Sequence, residues 1–513
     1  MSKELENNTN PWLTCLPTMT AAFMFVLDAT IANVALPHMA GSFSVSRDES
    51  MWILTSYLIA SGIVIPMVDW FSKAMGRKTF FIFSIIMFTV ASLLCGMAQT
   101  MGQMVAFRIL QGFGGGGILP ISQAILLENF KPSERGKAMA MFGMIIVLAP
   151  ILGPVIGGWI TDNWTWPYIY YINIPIGILA WVLSDTFIFD PPYAQKQEGV
   201  KADFLGFFFL CVWLISLQIV LDKGNNADWF NAPWICWLSL VSLISAVLFI
   251  ISQIKNKQSL VDLSIFKDRN YLVGTMVQII MQAVLLASVA ILPQFLQSLM
   301  GYDAYKSGLS MMPRGLGALT ATILYGSFAN KFDGRLLVAI GLSCIATGCM
   351  MLGNLNLEIS TMSIMFPNYL FGLGLGLAMI PIITLSMATL RNDQMTNATG
   401  LQNLLKNIGG AFGTSIVATL ITRGAQKHQF MLIQNLTDTS ANYVERVHTY
   451  ASAFMANYDP ITAQYMAKGI INRLLLQQAT LCAFIDAFRV FAVSAVAIIP
   501  LLLLLKNIKK ENN

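Results

Sequence analysis

Residues 108–120 read RILQGFGGGGILP, and residues 368–381 read NYLFGLGLGLAMIP. Laid over one another they bring Gly112 onto Gly372 and Gly114 onto Gly374. Working outward at nearly the same offset, Gly153 and Gly157 fall on Gly409 and Gly413, and Leu36 and Pro37 on Leu292 and Pro293. The loop ending in Gly76, Arg77 and Lys78 overlies GSFANKFDGR at 326–335. The chain therefore reads as two copies of one unit with an insertion between them, and a parallel repeat around a central cavity suits alternating access by rocking.

The repeated unit is apolar. Of 513 residues, 56% are hydrophobic and 11% charged. Stretches at 13–36, 51–71, 79–98, 103–127, 138–161, 168–187, 204–222, 231–253, 270–296, 304–328, 335–354, 361–387, 398–422 and 478–505 are each long enough to cross a bilayer as helices. The expected fold is an all-α integral membrane protein with 14 transmembrane helices. A tail (1–12) precedes a six-helix bundle (13–190), two inserted helices (204–253), a second six-helix bundle (270–505) holding an extracytoplasmic loop (424–477), and a last tail (506–513).

With the N-terminus inside, inner loops and tails hold nineteen basic residues, among them Lys3, Lys73, Arg77, Lys78, Arg135, Lys201, Lys257, Lys331, Lys509 and Lys510. The short outer loops hold three, Arg47, Lys223 and Lys306. Cytoplasmic loops carry the Lys/Arg excess, so both termini are expected in the cytoplasm and the chain in the cytoplasmic (inner) membrane. The net charge of +5 reflects this loop basicity, with no nucleic-acid partner implied. The polar start MSKELENNTN lacks a following small-residue cleavage site, so span 1 reads as retained. Seven scattered cysteines show no metal-ligand spacing, and neither a phosphate loop nor H-E-x-x-H occurs. An enzyme or an ATP-driven pump is thereby disfavoured, and no metal or cofactor is expected.

The deepest ionisable residues are Asp28, Arg108, Arg314, Lys406, Asp486 and Arg489. The repeat breaks at two of them, for Asp28 overlies Val284 and Arg108 overlies Asn368. Asp28 lies roughly 12 Å, and Arg108 roughly 9 Å, from the outer ends of their spans. Opposite charges at matching depth in low dielectric face a cavity or one another. Either they form an ion pair that fixes helix register, or Asp28 carries a proton and Arg108 holds its deprotonated form. Asp486, three residues before Arg489, can pair with it or serve as a further coupling group. Arg314 and Lys406 either set charge preference in a cavity or are neutralised by a carboxylate such as Asp486. Asn33, Gln111, Gln123, Gln278, Gln282, Gln294, Gln297, Gln402 and Asn403 suit a cavity for varied amphipathic compounds or bridge neighbouring helices. Gly153, Pro154, Gly157 and Gly158 let another helix approach closely and bend the span.

Several of these stretches resemble the major facilitator superfamily, in particular its fourteen-span drug:proton antiporters of the EmrB type. LDATIANVALP (27–37) resembles that group's span 1 signature, and FRILQGFGGG (107–116) the span 4 motif whose arginine handles protons. APILGPVIGG (149–158) resembles the antiporter motif, which in the family seals the interface between bundles. INIPIG (172–177), LDKGNNADWF (221–230) and LPQFLQ (292–297) extend the likeness over nearly the whole chain. One departure stands in the loop after span 2, where Asp69 occupies the family's glycine position and Lys73 its acidic one, while Gly76, Arg77 and Lys78 remain. An altered cytoplasmic latch is expected.

Residues 424–477 show helical spacing of Tyr443, Val447, Tyr450, Ala451 and Phe454, and of Ile471, Leu474 and Leu475. This segment is either a folded cap or, as the resemblance implies, a dock for a periplasmic adaptor (membrane fusion protein) leading to an outer-membrane channel. The function expected is proton-driven export of hydrophobic and amphipathic drugs and toxic compounds within such a tripartite system. The alternative is a dedicated exporter of one metabolite or siderophore.

Overall fold

A computed structural model describes residues 11–197, 203–256, 260–302, 304–328, 332–437 and 439–506. Lys3, Lys201, Lys257, Lys331, Lys509, Lys510 and most of both tails lie outside them, as do the side chains of Arg47 and Pro154. The described residues are helical, with no strand among them.

In chain order the long helices are α1 (Cys15–Phe43), α2 (Trp52–Met75), α3 (Arg77–Gly96), α4 (Met101–Asn129), α5 (Pro132–Asn163), α6 (Tyr168–Phe187), α7 (Phe204–Lys223) and α8 (Pro233–Lys255). There follow α9 (Arg269–Ser298), α10 (Ala304–Phe328), α11 (Gly334–Leu352), α12 (Thr361–Met387), α13 (Met395–Ile433), α14 (Ala441–Phe454) and α15 (Pro460–Ala497). Thirteen helices among the described residues are long and apolar enough to cross a membrane. The exception among the fourteen expected spans is α10, which has the length but is diluted by Lys306, Pro313, Arg314 and several glycines. Arg314, Thr320 and Gly317 pack against α9 and α12, so it needs no lipid-compatible surface all round.

The pairing of helices repeats as the glycines do. In the first group α1 packs on α5, and α2 and α3 on α4; in the second α9 packs on α13, and α10 and α11 on α12. Glycine permits the closeness. A Cβ on Gly112 would run into the Tyr57 carbonyl, and one on Gly372 into the Arg314 carbonyl, so α2–α4 and α10–α12 touch backbone to backbone. Gly153 and Gly157 of α5 meet Thr30 and Ile31 of α1, just as Gly409 and Gly413 of α13 meet Ile279 and Ala283 of α9. Gly158 touches Val34 at ordinary contact distance. These glycines thus pack within a group. Gly136 and Gly143 on α5 instead face Tyr325 and Ile380 of the second group.

Contacts between the groups are also paired: α5 with α10 and α12, and α13 with the last turns of α2 and α4. They concentrate towards the end that carries Arg77, Lys78 and Arg135, here termed the basic end. Arg135 Nη2 donates to Asn392 Oδ1 there at 3.2 Å, and deeper in Asn403 Nδ2 donates to Gln123 Oε1 at 2.9 Å. At the opposite end Asn33, Gln294 and Gln297 are exposed.

The inserted α7 touches both groups near that opposite end. Asp222 accepts from Thr55 Oγ1 of α2 at 2.9 Å, and the Leu221 carbonyl accepts from Ser415 Oγ of α13 at 2.8 Å.

The extramembrane segment at 424–477, expected to hold amphipathic helix, is largely helical, much of it as extensions of the flanking helices. α13 runs 39 residues to Ile433 and α15 begins at Pro460, so each projects well past the roughly 20 residues that a bilayer needs. α14 lies against α15 through Val447, Ala451, Ala467 and Ile471, with Tyr443 and Tyr450 alongside. Leu474 lies outside this seam and is exposed.

Candidate functional site

Asp28 and Arg108 meet. Both side chains are wholly buried, and Arg108 Nη1 donates to Asp28 Oδ2 at 2.7 Å. The other carboxylate oxygen accepts from Gln111 Nε2 at 2.9 Å and from Asn173 Nδ2 at 2.7 Å. Gln111 Oε1 accepts in turn from Arg108 Nη1 at 2.7 Å, and Arg108 Nε donates to the Ile53 carbonyl at 3.1 Å. The guanidinium lies 4.1 Å from the Tyr57 ring centroid and 5.7 Å from that of Tyr170, a cation–π arrangement that helps to offset its desolvation. Asn173 is held by Ser92, whose Oγ accepts from Asn173 Nδ2 at 3.0 Å and donates to the Tyr170 carbonyl at 2.9 Å. Helices α1, α2, α3, α4 and α6 thus converge on one carboxylate. Gln111 belongs to this cluster and does not line the cavity between the groups, and Asn173, Ser92, Tyr57 and Tyr170 are members that sequence reasoning missed. Asn173 was visible as the lone amide within INIPIG.

A cavity of about 110 Å³ lies between the two groups. It is lined by Gln123, Gln282, Asn403, Lys406 and Asn407 among mostly apolar side chains, including Phe142, Ile146, Leu375 and Met379. Of the expected cavity residues, Gln123, Gln282, Asn403 and Lys406 are therefore brought together. Asn33 and Gln297 sit exposed near the opposite end. Gln402 is buried inside the second group, where its Nε2 donates to Ser386 Oγ at 3.0 Å.

Arg314 makes its own cluster. Its Nη1 donates to Ser288 Oγ at 3.1 Å, its Nη2 to Asn368 Oδ1 at 3.0 Å, and its plane lies 4.2 Å from the Phe371 ring centroid. Asn368, the repeat mate of Arg108, thus serves as an acceptor for an arginine from another helix. Asp486 reaches neither Arg314 nor Arg489. It pairs with His428 Nε2 at 2.7 Å with its side chain half exposed, while Arg489 Nη2 contacts Asn354 Oδ1 at 3.4 Å. The expected i, i+3 pair does not form because the carboxylate turns towards α13, where His428 offers a nearer partner.

The loop motif forms a compact network at the basic end. Gly76 takes φ +88°, a left-handed backbone suited to glycine, and turns the chain from α2 into α3. Arg77 is buried and pairs with Glu128 of α4, and its Nε lies 3.8 Å from Asp190 Oδ1. Both Asp190 oxygens accept from the Lys78 backbone N–H at 2.9 Å. Burial pushes the Asp190 carboxyl up from its ordinary value, opposed by that N–H and by Arg77. Lys78 Nζ donates to the Asp185 carbonyl at 2.6 Å. The exchanged positions satisfy one another, Lys73 Nζ lying 2.5 Å from Asp69 Oδ2 one turn away. The altered motif thus keeps its charges paired within α2, and Arg77 ties α3 to α4 and to the end of α6. Substituting Arg77 with Lys keeps the charge but loses the planar fork, and is expected to lower unfolding stability by about 1–2 kcal/mol. Thermal unfolding of the purified variant checks this, and an unchanged midpoint would contradict it.

Long apolar helices in two repeated groups, a buried ion pair and a cavity between the groups define a polytopic transporter. A family model described as the Major Facilitator Superfamily matches residues 18–414. The chain belongs to that superfamily. It is 32% identical over 496 residues to the fatty acid resistance protein FarB of Neisseria gonorrhoeae, covering 96% of each chain. It is 32% identical over 424 residues to the multidrug export protein EmrB of Escherichia coli (strain K12), covering 82% of each. Among solved structures, the human organic anion transporter MFSD10 (TETRAN) matches with a TM-score of 0.65 at 11% identity, covering 96% of this chain and all of that one. The proton:xylose symporter XylE matches with a TM-score of 0.58 at 15% identity, covering 91% and 94%. At such identities the two structures speak for the fold alone.

Proposed function

We propose that this protein is a proton-coupled antiporter that exports hydrophobic and amphipathic compounds, with the basic end and both termini in the cytoplasm. The observation that carries the reading is the asymmetric burial of one carboxylate. Among the clusters described, the first group holds an Asp–Arg pair within the bundle, and the equivalent place in the second group holds Asn368 and Arg314. Protonation of Asp28 removes the charge that Arg108 faces, leaving the arginine with Gln111, the Ile53 carbonyl and the Tyr57 ring. The same event weakens the hold of α1 on α4 and α6, which gives the helices a reason to repack. With the basic end cytoplasmic, the arrangement described is closed to the cytoplasm. Entry of one proton down the membrane potential supplies about 2.3 kcal/mol per 100 mV, enough to drive uphill export when a pH gradient adds to it.

Relatives named for multidrug export and for fatty acid resistance support efflux as the direction of transport. The projecting hairpin of α13, α14 and α15 displays Phe430, Tyr458, Ile461 and Tyr465, apolar groups that suit docking of a periplasmic adaptor in a tripartite system. The test is proton movement, followed with an entrapped pH dye, when a lipophilic compound is added to proteoliposomes of the purified protein. Proton flux that depends on the compound is the expected result. Compound transport without any proton flux would overturn the coupling.

A further inference from the structure

Four buried cations lie within the helices described above, and they differ in what faces them: Arg77 has Glu128 and Asp190. Arg108 has Asp28, and Arg314 has Ser288, Asn368 and the Phe371 ring. Lys406 is 9% exposed and makes no hydrogen bond or ion pair among the described residues. It lines the cavity between the groups, and no lining residue is a carboxylate. An ammonium set against a partly apolar cavity with no carboxylate in its lining leaves its charge unopposed there, which favours an anion over a cation as occupant.

We infer that Lys406 selects the charge of the cargo and that the cavity takes amphipathic anions, whose carboxylate the ammonium binds. This rests on the export reading above and adds the substrate class. Part of the rest of the lining agrees. Gln123 spends its carbonyl oxygen on Asn403 Nδ2, so what it has left to offer is its amide N–H donors. Phe142, Ile146, Leu375 and Met379 supply the apolar walls for the body of the molecule. A cation of the same shape would meet like charge in a low dielectric with no carboxylate to offset it.

The test uses the full chain in lipid nanodiscs and two probes of matched shape, radiolabelled 2-naphthoate and 2-naphthyltrimethylammonium. Wild type is expected to bind 2-naphthoate saturably and the ammonium compound poorly. Lys406→Gln should weaken 2-naphthoate by about 30-fold or more. Lys406→Arg should stay near wild type, and Lys406→Glu should exchange the preference for that of the cation. Thermal midpoints of the variants separate lost binding from lost folding, and Lys406→Arg retains the charge if the others fold poorly. Equal 2-naphthoate affinity in wild type and folded Lys406→Gln, a wild-type preference for the cation, or no saturable binding of either probe would overturn the inference. Binding needs no proton gradient. Lys406-dependent binding without compound-driven proton flux would therefore sink only the export reading, and the converse would sink only this one.

Discussion

Replacing Asp28 with Asn is expected to abolish compound-driven proton movement in proteoliposomes while passive binding of the compound survives. The substitution is nearly isosteric, so α1 keeps its shape, but it removes the only carboxylate among the described residues that contacts Arg108. It also turns an amide N–H towards donors that now find an acceptor, Gln111 Nε2 and Asn173 Nδ2 or Arg108 Nη1. Removing one partner of a buried pair typically costs about 3–5 kcal/mol, so a lower thermal midpoint should accompany the loss. The double variant Asp28→Asn, Arg108→Gln separates the two readings of the pair, because deleting both charges relieves most of that penalty. A double variant that regains stability and still moves no protons places coupling on Asp28. One that regains stability and coupling together would make the pair a register lock only.

The largest structural effect is expected at Gly372. Alanine in place of a helical glycine ordinarily adds up to about 1 kcal/mol of stability. At Gly372 the added Cβ would overlap the Arg314 carbonyl of α10, and backbone cannot rotate away as a side chain can. α10 and α12 must then separate, and Arg314 loses its alignment with Asn368 and Phe371. A loss of about 3 kcal/mol is expected for Gly372→Ala, and more for Gly372→Val, read as the unfolding midpoint of the purified protein. Gly62→Ala is the control, since nothing lies within 4 Å of a Cβ there. Equal midpoints for the two alanine variants would contradict the close approach of α10 and α12.

How much of this was legible in the sequence follows from what a membrane helix encodes. The repeat was, because glycines at helix crossings are demanded by backbone contact in both copies. The meeting of Asp28 with Arg108 was, because depth along the bilayer follows from position in the span. What depth leaves open is which way a side chain points around its helix. Many of these spans are apolar on nearly every side, so periodicity marks no inner face, and Asn33 and Gln297 were grouped with Gln123 and Asn403 although only the latter pair reaches the cavity. The same ambiguity hid Asn173 and Glu128 as partners and left several partners open for the Asp486 carboxylate, His428 not among them. The segment after α13 was legible as helix from its spacing, though not how far α13 and α15 run on into it. Helix continues past the membrane when its own polar surface suits water, and hydropathy records where the lipid stops, not where the helix does.

That continuity gives α13 a mechanical property. The helix runs unbroken from Lys406, at the wall of the cavity, to Ile433, close to its exposed tip, a distance of about 40 Å at 1.5 Å per residue. Such a rod acts as a lever arm. A small tilt where cargo sits becomes a far larger sideways sweep at the tip, so whatever grips the hairpin outside the bilayer would be told mechanically whether the cavity is filled.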